Sequence, residues 1–209
     1  MLRALTVFAF ILAVLLRPAA AETLSILAFG DSLTAGYGLE PGEAFPVKLE
    51  AALRARGHDV RVINAGVSGD TSTAALDRLS WALDESIGAA IVELGANDAL
   101  RGQSPVETRL ALDAILSALD QRKLPVLLAG MKAPPNLGTG YGQAFEAIFP
   151  ELAKSHGALL YPFFLEGVAA NPKLNQADGM HPNPAGVEFV VTAMLPQVEA
   201  LIALAVQSP

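Results

Sequence analysis

A serine stands where a buried strand stops. The apolar run Leu24-Ser25-Ile26-Leu27-Ala28-Phe29 ends at Gly30-Asp31-Ser32-Leu33, and Thr34-Ala35-Gly36-Tyr37-Gly38 follows. A hydroxyl on a tight turn at a strand end is held rigidly yet stays reachable, which is what a nucleophile requires. It also requires a base, and the chain has three histidines: His58, His156 and His181. Only His181 has a carboxylate placed to orient it, in Asp178-Gly179-Met180-His181-Pro182-Asn183. That spacing lets Asp178 curl back to one ring nitrogen and leaves the other to take a proton from Ser32. His58 lies in a helix-to-strand connection and reads as a solvated loop residue. His156 precedes Gly157 at a helix end, where a cation is favourable.

Two further segments supply what acyl chemistry needs beyond nucleophile and base. Asn64-Ala65-Gly66-Val67-Ser68-Gly69-Asp70-Thr71 follows Val60-Arg61-Val62-Ile63, and Gly95-Ala96-Asn97-Asp98 follows Ala89-Ala90-Ile91-Val92-Glu93-Leu94. Both are polar, glycine-bearing turns at strand ends, so they are expected on the same sheet edge as Ser32. The Gly69 N–H and the Asn97 amide are donors of the type that stabilises a tetrahedral oxyanion. Ser68 is excluded as a rival nucleophile: Gly66-Val67-Ser68-Gly69-Asp70 lacks the final glycine of the G-x-S-x-G elbow. Asp31, Asn64 and Asp98 read as turn and network residues, with Asp31 a minor candidate for orienting the serine loop. With no cysteine and no two histidines at ligand spacing, metal binding is not expected.

The elements that must position these groups follow from periodicity. Short apolar strands at about 24–29, 59–64, 89–94, 125–130 and 158–161 alternate with helical stretches near 43–56, 72–85, 105–122, 142–156 and 184–203. Near-continuous Ile/Leu/Val strands separated by helices predict a five-stranded parallel sheet covered on both faces, a three-layer α/β/α sandwich. Ligands in such folds bind beyond the carboxyl ends of the strands, where three of the four blocks fall. Thr71 or Ser72 can cap the second helix and Ser104 the third, with Pro105 at its first position, and Pro184 can open the last just after His181. The loop Lys132-Ala133-Pro134-Pro135-Asn136-Leu137-Gly138-Thr139-Gly140 overhangs the same edge and is a candidate wall for the substrate site.

In this order, the four blocks resemble those of the SGNH (GDSL) hydrolase family, in particular its secreted bacterial thioesterase, lysophospholipase and arylesterase branch. The resemblance spans nearly the whole chain after residue 21. It implies the flavodoxin-like fold of that family. It also implies Ser32 as nucleophile, Ser32 N–H, Gly69 and Asn97 as oxyanion donors, and Asp178 with His181 completing the triad. The substrates implied are aryl esters, fatty acyl thioesters and lysophospholipids, hydrolysed through an acyl-enzyme without a cofactor. Two rival readings keep the same residues: a carbohydrate O-acetylesterase with a short polar pocket, and a secreted binding module that does not turn over.

Composition narrows the partners. A chain of 209 residues, 52% hydrophobic and 17% charged, suits one globular domain. A net charge of −7 without a Lys/Arg cluster argues against nucleic acid and against electrostatic docking on anionic membranes. Met1-Leu2-Arg3, the apolar stretch Ala4 to Leu16 and Ala19-Ala20-Ala21 before Glu22 read as a cleavable secretory signal, too short in its apolar part to span a bilayer. The expectation is therefore an exported monomer, periplasmic or secreted, with residues 22–209 as one domain and no stable membrane insertion after cleavage.

Overall fold

A computed structural model of the chain describes residues 23–207, and the expected signal segment lies outside them. Five strands, β1 (Leu24–Gly30), β2 (Val60–Gly66), β3 (Ile87–Glu93), β4 (Val126–Ala129) and β5 (Leu159–Tyr161), form one parallel sheet in the order β2-β1-β3-β4-β5. The three central strands are buried along almost their whole length, as their unbroken apolar runs require, whereas edge strand β2 alternates. Eight helices accompany them among the described residues. They are α1 (Ser32–Ala35), α2 (Phe45–Ala55), α3 (Ser72–Ala82), α4 (Ala96–Leu100), α5 (Pro105–Gln121), α6 (Thr139–Glu146), α7 (Ile148–His156) and α8 (Pro184–Gln207).

The chain leaves β1 toward β2 on one side and returns to β3 on the other. Right-handed crossovers therefore put α2 on one face and α3 on the opposite one. α8 packs beside α2, and α5 beside α3 and α7, closing both faces of the sheet. By length and apolarity α8 could cross a membrane, but Val187, Val190, Val191, Met194, Val198, Leu201 and Ile202 are buried in the core at helical spacing. The reversal at β1 and β3 creates a crevice at their carboxyl ends, where α/β sheets bind ligands.

Strand positions and the caps agree with the sequence reading. Thr71, rather than Ser72, accepts from the Ala74 N–H, and Ser104 accepts from Val106 N–H ahead of Pro105. The stretch expected as one helix over 142–156 is two, divided at Ala147. Pro150 cannot donate to the Glu146 carbonyl and its ring crowds it, so α6 stops one turn earlier. The short helices α1 and α4 carry no signal in apolar periodicity, being too brief to show one.

Two histidines settle outside the crevice. His58 is not a free loop residue: its Nε2 lies 3.2 Å from Glu199 on α8, which also binds Arg56. His156 closes α7 as expected and bridges to α5, with Nδ1 2.5 Å from Asp120 and Nε2 2.9 Å from Asp113. Burial alone would lower the His156 pKa, but hydrogen bonds to Asp120 and Asp113 outweigh it and raise the value above 6.5. A folded-state pKa raised in this way contributes stability that is fully present below about pH 6.5 and lost as pH rises through the raised value. Both carboxylates are about half solvated, so screening limits the contribution to about 1 kcal/mol. His156→Gln should therefore lower Tm by about 2–4 °C near pH 6, and thermal melts should show this gap narrowing toward pH 9. A gap independent of pH would mean that His156 acts by packing alone.

Candidate active site

β1 ends at Gly30 and turns at once into α1. Asp31 caps this turn, its Oδ1 accepting from the Leu33 N–H at 3.0 Å, and Ser32 becomes the first helical residue at the crevice. The turn can sit down on β2 only because Gly66 lacks a side chain: a Cβ there would come within 2.3 Å of the Ala35 backbone nitrogen. Beneath it, Thr34 Oγ1 donates to Glu93 Oε2 at 2.8 Å, tying the turn to the end of β3. Glu93 is fully buried, and burial together with the nearby Asp31 carboxyl pushes its pKa well up.

The histidine arrives from the far end of the chain. Asp178 and His181 lie on the loop before α8, and the loop is closed by its own bonds: Gln176 N–H donates to the His181 carbonyl at 2.8 Å and Gly179 N–H to the Gln176 carbonyl at 3.0 Å. Gln176 Nε2 then spans two segments, donating to the Tyr37 carbonyl at 2.7 Å and the Pro182 carbonyl at 3.0 Å. The Tyr37 ring leans on the His181 imidazole, with centroids 4.7 Å apart. His181 Nε2 is thereby set 2.9 Å from Ser32 Oγ, and Nδ1 2.6 Å from Asp178 Oδ2.

The protonation pattern follows from Asp178. Its Oδ1 accepts the His181 N–H at 3.0 Å and the Met180 N–H at 2.9 Å. These two backbone bonds, with the imidazole bond, push its pKa down to about 2. An ionised carboxylate only accepts, so Nδ1 carries the hydrogen, and Nε2 of the neutral ring is left as the acceptor for the Ser32 hydroxyl.

The two remaining blocks close on the same point. Gly69, at φ +89°, adopts a left-handed backbone that favours glycine, and its carbonyl is held by Arg101 Nη2 at 2.7 Å. Neither the Ser32 N–H nor the Gly69 N–H donates to a backbone or side-chain acceptor among the described residues. Asn97, on α4, points its Nδ2 between Asp31 Oδ2 at 3.1 Å and the Asp70 carbonyl at 3.0 Å. Asp98 faces away into the protein, where its carboxylate accepts from the Ser72 N–H, Ser72 Oγ and Thr108 Oγ1. Asn64, expected in a turn, lies within β2 because the strand runs on to Gly66; its side chain accepts from the Gly66 N–H and donates to the Ala35 carbonyl.

Periodicity gave no hint of Arg78. From α3 it donates to the Gly30 carbonyl and the Ala65 carbonyl, both at 2.9 Å, and to the Asp70 carboxylate, while its guanidinium lies 4.4 Å over the Phe29 ring. Glu93 and Gln176 were equally silent: one sits in an apolar strand, the other in a polar loop.

Around these groups opens a cavity of about 770 Å³, the size of a pocket for a drug-sized ligand. Ser32, Gly69, Asn97 and His181 line one side. Leu33, Leu100, Met131, Ala133, Pro134, Pro135, Phe163, Leu165 and Met180 make the rest largely apolar. Of the loop expected as a wall, residues 132–135 line the cavity. Asn136 and Leu137 continue the short turn begun at Pro135, and Thr139 and Gly140 open α6 instead. Ala170 reaches the wall at φ +59°, a conformation that costs a non-glycine residue about 1–2 kcal/mol. Among the described residues, no group of three His, Asp or Glu side chains is gathered to hold a metal ion.

Comparison with known proteins agrees with this geometry. The model of the GDSL-like Lipase/Acylhydrolase family matches residues 28–189. The chain is 39% identical over 196 residues to Thioesterase 1/protease 1/lysophospholipase L1 of Escherichia coli K12, covering 93% of this chain and 92% of that one. It is 38% identical over 166 residues to an arylesterase of Vibrio mimicus, covering 79% and 83%. Among solved structures, AlinE4, an SGNH-hydrolase family esterase, superposes with a TM-score of 0.74 at 53% identity, covering 87% of this chain and 98% of that one. A strand-end serine meeting a C-terminal Asp-x-x-His loop in a doubly wound sheet, matched over most of its length to such relatives, places this chain in the GDSL-like lipase/acylhydrolase family of SGNH hydrolases.

Proposed function

We propose that the protein is a serine esterase that hydrolyses carboxylic esters and thioesters with an apolar acyl or aryl part. The observation that carries this reading is the unbroken chain Ser32 Oγ, His181 Nε2, His181 Nδ1, Asp178 Oδ2, opening onto the apolar cavity. Ser32 Oγ attacks the carbonyl carbon as its proton passes to His181 Nε2, and Asp178 stabilises the imidazolium through Nδ1–H. Negative charge on the carbonyl oxygen is received by the Ser32 and Gly69 N–H groups and by Asn97 Nδ2. His181 returns the proton to the departing alcohol or thiol. It then takes one from water, whose oxygen attacks the acyl carbon, and passes that proton to Ser32 Oγ as the acyl–Oγ bond breaks and the acid leaves. Each step moves only protons and acyl carbon, so none calls for a cofactor.

Ser32→Ala should abolish turnover and covalent labelling by a fluorophosphonate probe, with Tm changed little, since removing one half-buried hydroxyl at the crevice leaves the core intact. Parallel loss of activity and folding would assign Ser32 to the structure, and a wild type that resists labelling would favour the non-catalytic binding reading. Asp178→Asn should also be severe, because an amide cannot stabilise the imidazolium and favours the wrong tautomer.

Substrate class follows from the cavity wall. Leu33, Met131, Pro134, Phe163 and Leu165 offer apolar contact and few hydrogen-bonding groups, which supports fatty acyl and aryl substrates over acetylated carbohydrate. The names of the relatives, thioesterase, lysophospholipase and arylesterase, support the same range. Along a p-nitrophenyl ester series, kcat/KM should rise from acetyl into the medium-chain esters, each buried CH₂ contributing about 0.8 kcal/mol at most. A maximum at acetyl would return the reading to an O-acetylesterase.

Export rests on residues 1–21. N-terminal sequencing of the secreted or periplasmic protein should begin at Glu22, whereas an intact Met1 in the membrane fraction would indicate an anchor. We propose a monomer acting on small-molecule esters.

A further inference from the structure

Asn97 has two amide hydrogens and two protein acceptors waiting for them. With Asp31 Oδ2 at 3.1 Å and the Asp70 carbonyl at 3.0 Å, the amide plane is fixed from both sides. A carbonyl oxygen entering the site is received by sharing one of these hydrogens in a three-centre bond. The direction in which the amide faces therefore depends on Asp31.

That side chain is fully buried, and its two oxygens serve different parts of the site. Oδ1 caps the turn bearing Ser32, and Oδ2 holds Asn97, which arrives from β3 and α4. Burial pushes the Asp31 carboxyl up to about 6, against the opposing pull of those hydrogen bonds and of nearby His181. Glu93 lies close behind it, with Oε1 lacking any hydrogen-bond partner. Two acids packed together in a core cost stability that apolar residues of similar volume would not. A helix cap alone does not account for that cost, since serine or threonine would serve.

We propose that Asp31 is a positioning residue of the oxyanion site, holding the Asn97 amide through Oδ2 and the Ser32 turn through Oδ1 so that donor and nucleophile are fixed as one unit. This rests on the assignment of Asn97 as an oxyanion donor. Asp31 does not touch the substrate in this arrangement; it acts through its neighbours.

Two variants separate the roles of the two oxygens. Asp31→Asn has one oxygen for two donors, so either the cap or the Asn97 bond is replaced by a donor facing a donor. Asp31→Ser keeps an oxygen for the Leu33 N–H but is too short to reach Asn97. Both should lower kcat about 10–100-fold with KM changed less than about twofold, the signature of an interaction realised in the transition state. Asn97→Ala alone should cost about 10²–10³ in kcat. In the Asn97→Ala background, Asp31→Ser should cost no more than about a further threefold, because the partner it acts through is gone.

Full kcat in Asp31→Ser would reduce Asp31 to a cap and overturn the proposal. Equal losses in both backgrounds would overturn it too, while leaving the oxyanion assignment standing. An Asn97→Ala enzyme with normal kcat would remove that assignment and Asp31's positioning role with it. Failure of both Asp31 variants to fold, read by far-UV circular dichroism, would assign Asp31 to the fold and also overturn the proposal.

Discussion

At the carboxyl ends of β1 and β2 one guanidinium gathers a carbonyl from each strand. Arg78 binds the Gly30 and Ala65 carbonyls and the Asp70 carboxylate at once. Its planar fork suits three acceptors that diverge, and the Phe29 ring beneath supplies a flat surface. Because Asp70 follows Gly69 and accepts from Asn97, the clamp fixes the spacing between the serine turn, the glycine turn and the asparagine turn. A lysine at position 78, a point charge on a flexible stem, could satisfy one of these acceptors but would not hold all three in register.

The outline of the molecule was legible because it depends on local pattern. Apolar runs marked the central strands, the alternation of Val60-Arg61-Val62 marked edge strand β2, and Ser104-Pro105 marked the start of α5. The proposed reacting groups were legible because acyl chemistry needs few residue types, and those types occur here at strand ends and just before the last helix, in the required chain order. What stayed hidden was the packing between blocks. Glu93 looks like one charged interruption in a strand until Thr34 is seen bonded to it across 59 residues. Arg78 looks like an ordinary charge on an amphipathic helix, and Gln176 like loop polarity. Their partners are backbone carbonyls, which no sequence pattern names. The division of the 142–156 stretch is different in kind: apolar periodicity runs on across it, and the break comes from Pro150 acting one turn upstream.

Acidic side chains are gathered beneath the crevice. Asp31, Glu93 and Asp98 are each fully buried within the segments that carry Ser32 and Asn97. Asp98 is matched by three donors from α3 and α5, so it welds α4 to the helices below. For Asp31 and Glu93 burial pushes both carboxyls up, and for Glu93 the nearby Asp31 adds to the shift. Stability has been given up where rigidity of the reacting groups is gained, a common trade at sites that must be pre-organised.

The bond between Ser32 and His181 joins residues 149 apart in the chain. Ser32 opens α1 directly after β1, and His181 lies on the loop just ahead of α8, which packs beside α2. Contacts of such long sequence separation close late in folding, after the loop-closure entropy has been overcome. A product cut short before Asp178 would keep the Ser32 turn but lack the imidazole that the folded chain sets beside it. The order of the polypeptide thus withholds this pairing until synthesis is almost finished.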